Sequence, residues 1–286
     1  MILVVGATGS LGGAVAQGLL AKGKKVRVLT RAGSNAAALT AKGAEAVTGD
    51  LKDPASLAKA CAGIDTVVTT ANSVLRGGAD TVDSVDLTGN KSLIDAAKAA
   101  GVKHFVFVSA LGAAENHPVP IFQAKAKTEA HLKSSGMAWT ILAPNFFTDI
   151  WVGMVVGMPL SQGKPITLVG EGKRKHAFVS NADVAAFAIA AVDNPAAKNQ
   201  FIPIAGPEAL SWRDVVAAFE KAAGKSLPVS WVAAGTAVPG LPDMMWQTLA
   251  GMETFDTVLP MADTAAKYGV TQTTVAQFAA AALARK

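Results

Sequence analysis

Cysteine is almost missing from this 286-residue chain: Cys61 stands alone, which excludes an internal disulfide. With no histidine close to it in sequence, it reads as a small core residue rather than a nucleophile, and it fits a reducing, cytoplasmic setting. Tyrosine is as scarce, with Tyr268 its single copy. Long hydrophobic runs are absent too. The stretch 182–192 is interrupted by Asp183 and stops at Asp193, short of the roughly 20 apolar residues that a membrane span needs. Residues 1–5 form an apolar run that breaks at Gly6, with no basic stretch before it and no small-residue cleavage site after it. That pattern is expected to form a buried strand rather than a signal peptide. Despite a net charge of +5, the basic side chains are scattered, and the one cluster, Lys173, Arg174 and Lys175, reads as a solvated loop. Neither nucleic acid nor a membrane is therefore expected as a partner. No metal-ligand set is assigned, and the chain is expected as a soluble monomer or homodimer.

What the chain does have is core-forming material: 51% of its residues are hydrophobic and 16% charged, as in ordinary globular proteins. Short β-branched runs at 2–5, 26–30, 46–48, 66–70, 104–109 and 138–142 alternate with alanine-rich helical segments, the signature of βαβ units and a parallel sheet. Their apolar continuity predicts strands buried on both faces. Helix signals fall between them. Leu11, Val15 and Leu19 share a face that ends at Gly23; Asp53 and Pro54 supply an N-cap and an N1 proline before inward-facing Leu57 and Cys61; Val82, Val85, Gly89, Leu93 and Ala97 trace a longer helix. Beyond about residue 145 the alternation lapses into sequence rich in Met, Trp, Gly and Pro. Helices are expected there at 182–192 and at 212–223, the latter opened by a Ser211, Asp214 capping box, with a strand at 201–204 at the sheet edge. The fold expected is α/β, a doubly wound parallel Rossmann sheet with a small C-terminal substrate lobe. It reads as a single NAD(P)-binding domain over 1–286, with a dinucleotide core at about 1–145 and a covering lobe at about 146–286 that lacks a core of its own.

Gly6, Thr8, Gly9, Ser10, Leu11 and Gly12 follow the first strand directly and open a helix, the context a phosphate-binding turn requires. Gly6 permits the turn, Gly9 lets backbone approach a pyrophosphate, and Gly12 lets helix and strand pack closely. The second strand ends in Thr30 and Arg31, where NAD-selective proteins place a carboxylate for the ribose 2′-hydroxyl. A guanidinium there, with Ser34 as an added donor, favours a 2′-phosphate, so NADP(H) is expected over NAD(H). Asp50 and Leu51 follow the third strand, near where an adenine would lie. Thr70, Ala71 and Asn72 end the fourth on the same carboxyl edge.

The Gly-Ala-Thr-Gly turn, Gly49-Asp50, the run Val108-Ser109-Ala110-Leu111-Gly112, Lys125 with Glu129, and the run from Trp139 to Phe147 together resemble the NmrA-like group of atypical short-chain dehydrogenases, which includes NADPH-dependent quinone reductases and triphenylmethane dye reductases. The likeness covers nearly the whole chain. It implies that Ser109 and Lys125 match the group's serine and lysine, that Lys125 anchors the nicotinamide ribose or places a positive charge beside it, and that Asn145 and Phe146 flank the nicotinamide. The tyrosine that short-chain dehydrogenases generally carry four residues before the lysine is Ile121 here. An ordinary ketone needs a proton donor as hydride arrives, whereas a quinone yields a phenolate-like oxygen with a pKa of about 10 and a cationic dye is simply neutralised. The expected acceptor is thus a small apolar or aromatic molecule, a quinone, dye or similar conjugated electrophile. His117, between Ser109 and Lys125, is the alternative acid. The competing expectation is a non-catalytic NADP-binding redox sensor.

Overall fold

The computed structural model describes residues 1–74, 76–238 and 240–284. In chain order, the first elements are β1 (Ile2–Val5), α1 (Ser10–Ala21), β2 (Val26–Thr30), α2 (Ala37–Thr40), β3 (Glu45–Thr48), α3 (Pro54–Cys61) and β4 (Thr66–Thr69). A π-helical segment, Val82–Leu87, runs into α4 (Thr88–Ala99), followed by β5 (His104–Val108), α5 (Pro120–Ser134) and β6 (Ala138–Pro144). Then come α6 (Thr148–Val152), α7 (Met158–Ser161), β7 (Ile166–Val169), α8 (Asn181–Asp193), β8 (Gln200–Ile204), α9 (Trp212–Ala223), β9 (Val229–Val232), α10 (Asp243–Met252), α11 (Ala262–Tyr268) and α12 (Val275–Ala284). No helix among the described residues is long and apolar enough to cross a membrane.

Two compact units emerge. The first comprises Met1–Pro144, Val184–Ile204 and Tyr268–Val270. Its sheet has seven strands in the order β3-β2-β1-β4-β5-β6-β8, every neighbouring pair parallel. Strand order reverses direction between β1 and β4, and open α/β sheets bind ligands outside the carboxyl ends of strands at such a switch point. Strands β1, β4 and β5 are buried throughout, as continuous apolar runs demand. Strand β3 departs from that expectation: it is largely exposed because it is an edge with a neighbour on one side only, and Glu45 spends its carboxylate on Arg27 of β2 at 3.0 and 3.2 Å. Local signals hold elsewhere, since the Asp53 side chain accepts the Ala55 N–H at 3.1 Å and caps α3.

Histidine in the middle of this sheet makes its stability pH-dependent. His104 on β5 is 2% exposed, and its Nε2 lies 2.9 Å from Thr140 Oγ1, whose own proton goes to the Ala197 carbonyl at 2.7 Å. Nε2 must therefore donate. Burial, with Lys198 adding to it, pushes the imidazole down from 6.5 to about 4. Between those values the unfolded chain binds a proton that the folded chain refuses. The neutral ring's contribution is thus fully present above about pH 6.5 and is lost as pH falls towards 4, at up to about 1.4 kcal/mol per pH unit. Urea unfolding from neutral pH to about pH 4.5 should show wild type losing more stability than His104→Gln. Equal losses would remove His104 from the acid response.

The second unit comprises Asn145–Asp183, Ala205–Lys267 and Thr271–Lys286. Contrary to expectation, this part of the chain has a core of its own, in which Phe178, Trp212, Val215, Phe219, Leu249 and Met252 are buried together. The Met- and Trp-rich sequence hides it because its contributions come from short pieces. Helix α9 opens on the expected capping box, with Ser211 Oγ accepting the Asp214 N–H at 3.2 Å and the Asp214 carboxylate accepting the Ser211 N–H at 2.9 Å, and it packs on α12. A two-stranded parallel sheet, β7 with β9, completes the unit.

Candidate functional site

At the carboxyl end of β1 the chain turns through Gly6 at φ +89°, a conformation that side chains rarely adopt, and enters α1 with the Gly9 N–H donating to the Gly6 carbonyl at 3.0 Å. Gly9 caps α1 without any side-chain hydrogen bond, and Thr8, Gly9 and Ser10 are exposed. The helix's positive end therefore faces outward uncovered by a cap side chain, which suits an anion. Close packing beneath is strict. A Cβ on Gly12 would stand 2.3 Å from the Gly6 carbonyl oxygen, and one on Gly6 would stand 2.6 Å from Thr70 Oγ1. These residues fit the pyrophosphate of a dinucleotide. Leu11 lies half-buried on the helix, and Thr70 is a packing partner under the turn, its hydroxyl donating to the Val5 carbonyl at 3.4 Å.

Beside the turn, Gly6, Thr8, Arg31, Asp50, Leu51 and Ala71 line one cleft, so the structure brings six of the expected cofactor residues together. Val5, Leu29 and Val85 add apolar surface of the kind a planar base covers. Arg31 does not stand alone there. Its Nη1 lies 2.5 Å from the carboxylate of Asp80, which also takes Lys52 Nζ at 2.5 Å and has Arg76 Nη1 at 3.6 Å. Ser34 belongs to the turn after Arg31, donating its N–H to the Arg31 carbonyl at 3.0 Å. Asp50 accepts the Lys52 N–H at 2.9 Å in an Asx turn. Asn72 folds onto its own backbone, its amide donating to the Thr70 carbonyl at 3.2 Å and its oxygen accepting the Val74 N–H at 3.0 Å.

Ser109, just after β5, and Lys125, inside α5, are held in a buried polar network. Lys125, 6% exposed, donates to the Val108 carbonyl at 3.1 Å and has Asp86 Oδ1 at 3.8 Å. Asp86 is fully buried; its Oδ2 accepts both the N–H and hydroxyl of Ser73, at 3.0 and 2.6 Å, while Oδ1 has no hydrogen-bond partner. Burial pushes the Lys125 ammonium below the usual lysine range, against the pull of Asp86 and then Glu129. The Ser109 hydroxyl donates to Glu129 Oε1 at 2.5 Å, and burial raises the Glu129 carboxyl above the usual glutamate range against that bond and the neighbouring lysines. His117 stacks on Phe122 at 4.3 Å, with its Nδ1 accepting the Val119 N–H at 3.0 Å at the entrance to α5. Ile121 occupies the first turn of α5, and Tyr268 packs edge-on against Phe187 at 5.9 Å.

In the second unit, the Asn145 amide donates to the Ala177 carbonyl and to Thr257 Oγ1, both at 3.0 Å, and Phe146 meets Trp151 and His176 edge-on. Asp149 accepts the Asn181 N–H at 2.7 Å, while His176 bonds Thr257 and the Met252 carbonyl, so both carry internal bonds. Lys52, Arg76 and Asp80 escaped sequence reading, as did the pairing of Asp86 and Glu129 with Lys125 and Ser109. Only Glu129 carried a local signal, its i,i+4 spacing from Lys125. Among the described residues, no group of His, Cys, Asp and Glu is placed to hold a metal ion.

Comparison with known proteins adds a family to this geometry. The model of the NmrA-like family matches residues 1–272. An NAD(P)H azoreductase from Xenophilus azovorans is 37% identical over 82% of this chain and 77% of that protein. A photosystem II assembly factor, Ycf39, from Cyanophora paradoxa is 33% identical over 81% of this chain and 71% of its own length. Among solved structures, an NADPH-dependent quinone oxidoreductase, QOR2, from Escherichia coli in complex with NADPH superposes with a TM-score of 0.83 over 99% of this chain and 100% of that one; at 24% identity it shows the shared fold.

Proposed function

We propose that this chain, which belongs to the NmrA-like family, is an NAD(P)H-dependent reductase of quinones, hydroxyazo or cationic dyes, or comparable conjugated acceptors, with NADPH the preferred donor. The observation that carries this reading is the tightly packed glycine turn at Gly6 to Gly12, which opens α1 on a cap without a side-chain hydrogen bond, with Arg31 lining the same cleft. The azoreductase relative supports the reaction class. A bound reduced nicotinamide supplies the hydride. The chain's own residues hold the dinucleotide: backbone amides at the start of α1 take the pyrophosphate, and Arg31 takes the 2′-phosphate. Lys125 sets positive charge at the exit of β5, Ser109 offers a hydroxyl to an acceptor oxygen or the carboxamide, and His117 is the alternative acid.

With isoleucine at position 121, α5 brings no phenol to donate a proton. An acceptor whose reduced oxygen is phenolate-like, with a pKa of about 10, tolerates that absence because its anion persists until water protonates it. Hydroxyazo dyes join the class through their quinone-like hydrazone tautomers. Rate enhancement then comes mainly from positioning.

The test mixes purified protein with NADPH and a naphthoquinone, a hydroxyazo dye and a cationic triarylmethane dye. Loss of nicotinamide absorbance with at least one acceptor is expected. Saturable binding with no turnover on any of them would replace the reductase by a second reading, a nucleotide-binding assembly or sensor protein, which the likeness to the assembly factor favours. Arg31→Ala should weaken NADPH binding about tenfold more than NADH binding, the scale of a charge-assisted contact. Equal effects would remove Arg31 from the 2′-phosphate.

A further inference from the structure

We propose that Asp80 is a specificity-determining residue that occupies the seat of the cofactor's 2′-phosphate and narrows the preference for NADP(H) over NAD(H). The inference rests on the reading of the cleft as a dinucleotide site. Three cations from different parts of the chain converge on this one carboxylate: Arg31 after β2, Lys52 before α3 and Arg76 after β4. Its two oxygens are divided between Arg31 and Lys52, each at 2.5 Å. The cations remain 46%, 33% and 29% exposed at the side chain, whereas the carboxylate is only 9% exposed, so the acid lies inside the ring of bases. A turn brings it there, with the Asp80 N–H donating to the Gly77 carbonyl at 3.3 Å. Lys52 foremost, then Arg31 and Arg76, hold the Asp80 carboxyl below the usual carboxylate range against the opposing effect of burial. It is an anion at neutral pH.

A phosphate monoester and a carboxylate compete for the same donors, since both accept from guanidinium and ammonium groups in the same geometry. Asp80 lines the cleft beside Arg31, Gly6 and Thr8. A 2′-phosphate entering there must share or displace it. An unphosphorylated ribose meets the opposite situation, because its 2′-hydroxyl donates and a carboxylate accepts. Asp80 therefore weakens binding of the phosphorylated cofactor and supports the other, and a chain with Arg31 after β2 keeps a use for both.

Dissociation constants for NADP⁺ and NAD⁺, and for the fragments 2′,5′-ADP and 5′-AMP, should be measured on wild type, Asp80→Asn and Asp80→Ser at low and high salt. Asp80→Asn preserves size and removes the charge. The ratio of NAD⁺ to NADP⁺ dissociation constants should rise about tenfold at low salt, on the order of removing one like charge from a hydrated phosphate site, and by less at high salt. The fragments should follow the same ratio, and Asp80→Ser guards against an effect peculiar to the amide. If wild type binds both cofactors and neither variant changes the ratio, or the ratio falls, Asp80 has no part in selectivity while the dinucleotide site stands. If wild type binds neither, the site reading fails and this inference with it.

Discussion

Gly12→Ala should abolish dinucleotide binding, with a loss of about a hundredfold or more in affinity and turnover, the scale of a misplacement near 1 Å. The added methyl would stand 2.3 Å from the Gly6 oxygen, 2.6 Å from the Gly6 carbonyl carbon and 2.7 Å from Thr70 Oγ1. Two of these atoms are backbone and cannot rotate away. Nor can the turn yield, because Gly6 is itself pinned against Thr70 at positive φ. The first turn of α1 must lift from β1, and the amides proposed to hold the pyrophosphate move with it. The buried apolar cluster around Leu3, Leu57, Leu93 and Phe105 does not include α1, so the variant should keep most of its circular dichroism while losing the nucleotide. Wild-type affinity in this variant would show that the turn holds no phosphate.

Lys125→Ala should cost about 3 kcal/mol of stability, the low end for removing one partner of a buried ion pair, because the Lys125 to Asp86 separation of 3.8 Å is a charge contact without a hydrogen bond. Asp86 would then be a buried carboxylate held by Ser73 alone on one oxygen. For a chain of this size the melting temperature should fall by roughly 6 °C or more. The double replacement Lys125→Met, Asp86→Asn keeps the volume and removes both charges, so most of the stability should return while turnover stays low. Recovery of turnover together with stability would make Lys125 a folding residue only. The pH response has a defined sign. Burial places the folded ammonium below the usual lysine range, so the unfolded chain holds the extra proton at intermediate pH. Stability should climb as pH rises through the window below about 10.4, and Lys125→Met should lose that climb.

Legibility in the sequence follows the range of the interactions. Strands β1, β2, β4, β5 and β6 announce themselves because a parallel strand covered on both faces is one apolar run, and the Gly6 to Gly12 turn is a local constraint written in adjacent residues. Strand β8 was visible as an edge addition, and α9 as a capping box. Strands β7 and β9 were not, since four residues each leave too little periodicity and their pairing spans 63 residues, from Ile166 to Val229. The core of the second unit shares that cause: Phe178, Trp212 and Met252 lie far apart in the chain.

The site divides the same way. Arg31 was read from its place at a strand end, but the carboxylate it meets arrives from position 80; Gly77 and Gly78 mark the turn that carries it, yet nothing local says which cation, 49 residues away, it meets. Asp86 reaches Lys125 because a π-helical segment precedes α4, and hydrophobic spacing does not reveal that geometry. Ser109 and Glu129 are 20 residues apart and meet only because α5 runs past the residue that follows β5.

Calorimetric titration of the purified chain with NADP⁺ tests the central claim most directly. The glycine turn and the cleft beside it should give saturable heat with one nucleotide per chain, lost in Gly12→Ala. Heat that fails to saturate, or saturation that survives Gly12→Ala unchanged, would contradict a dinucleotide held at the end of β1.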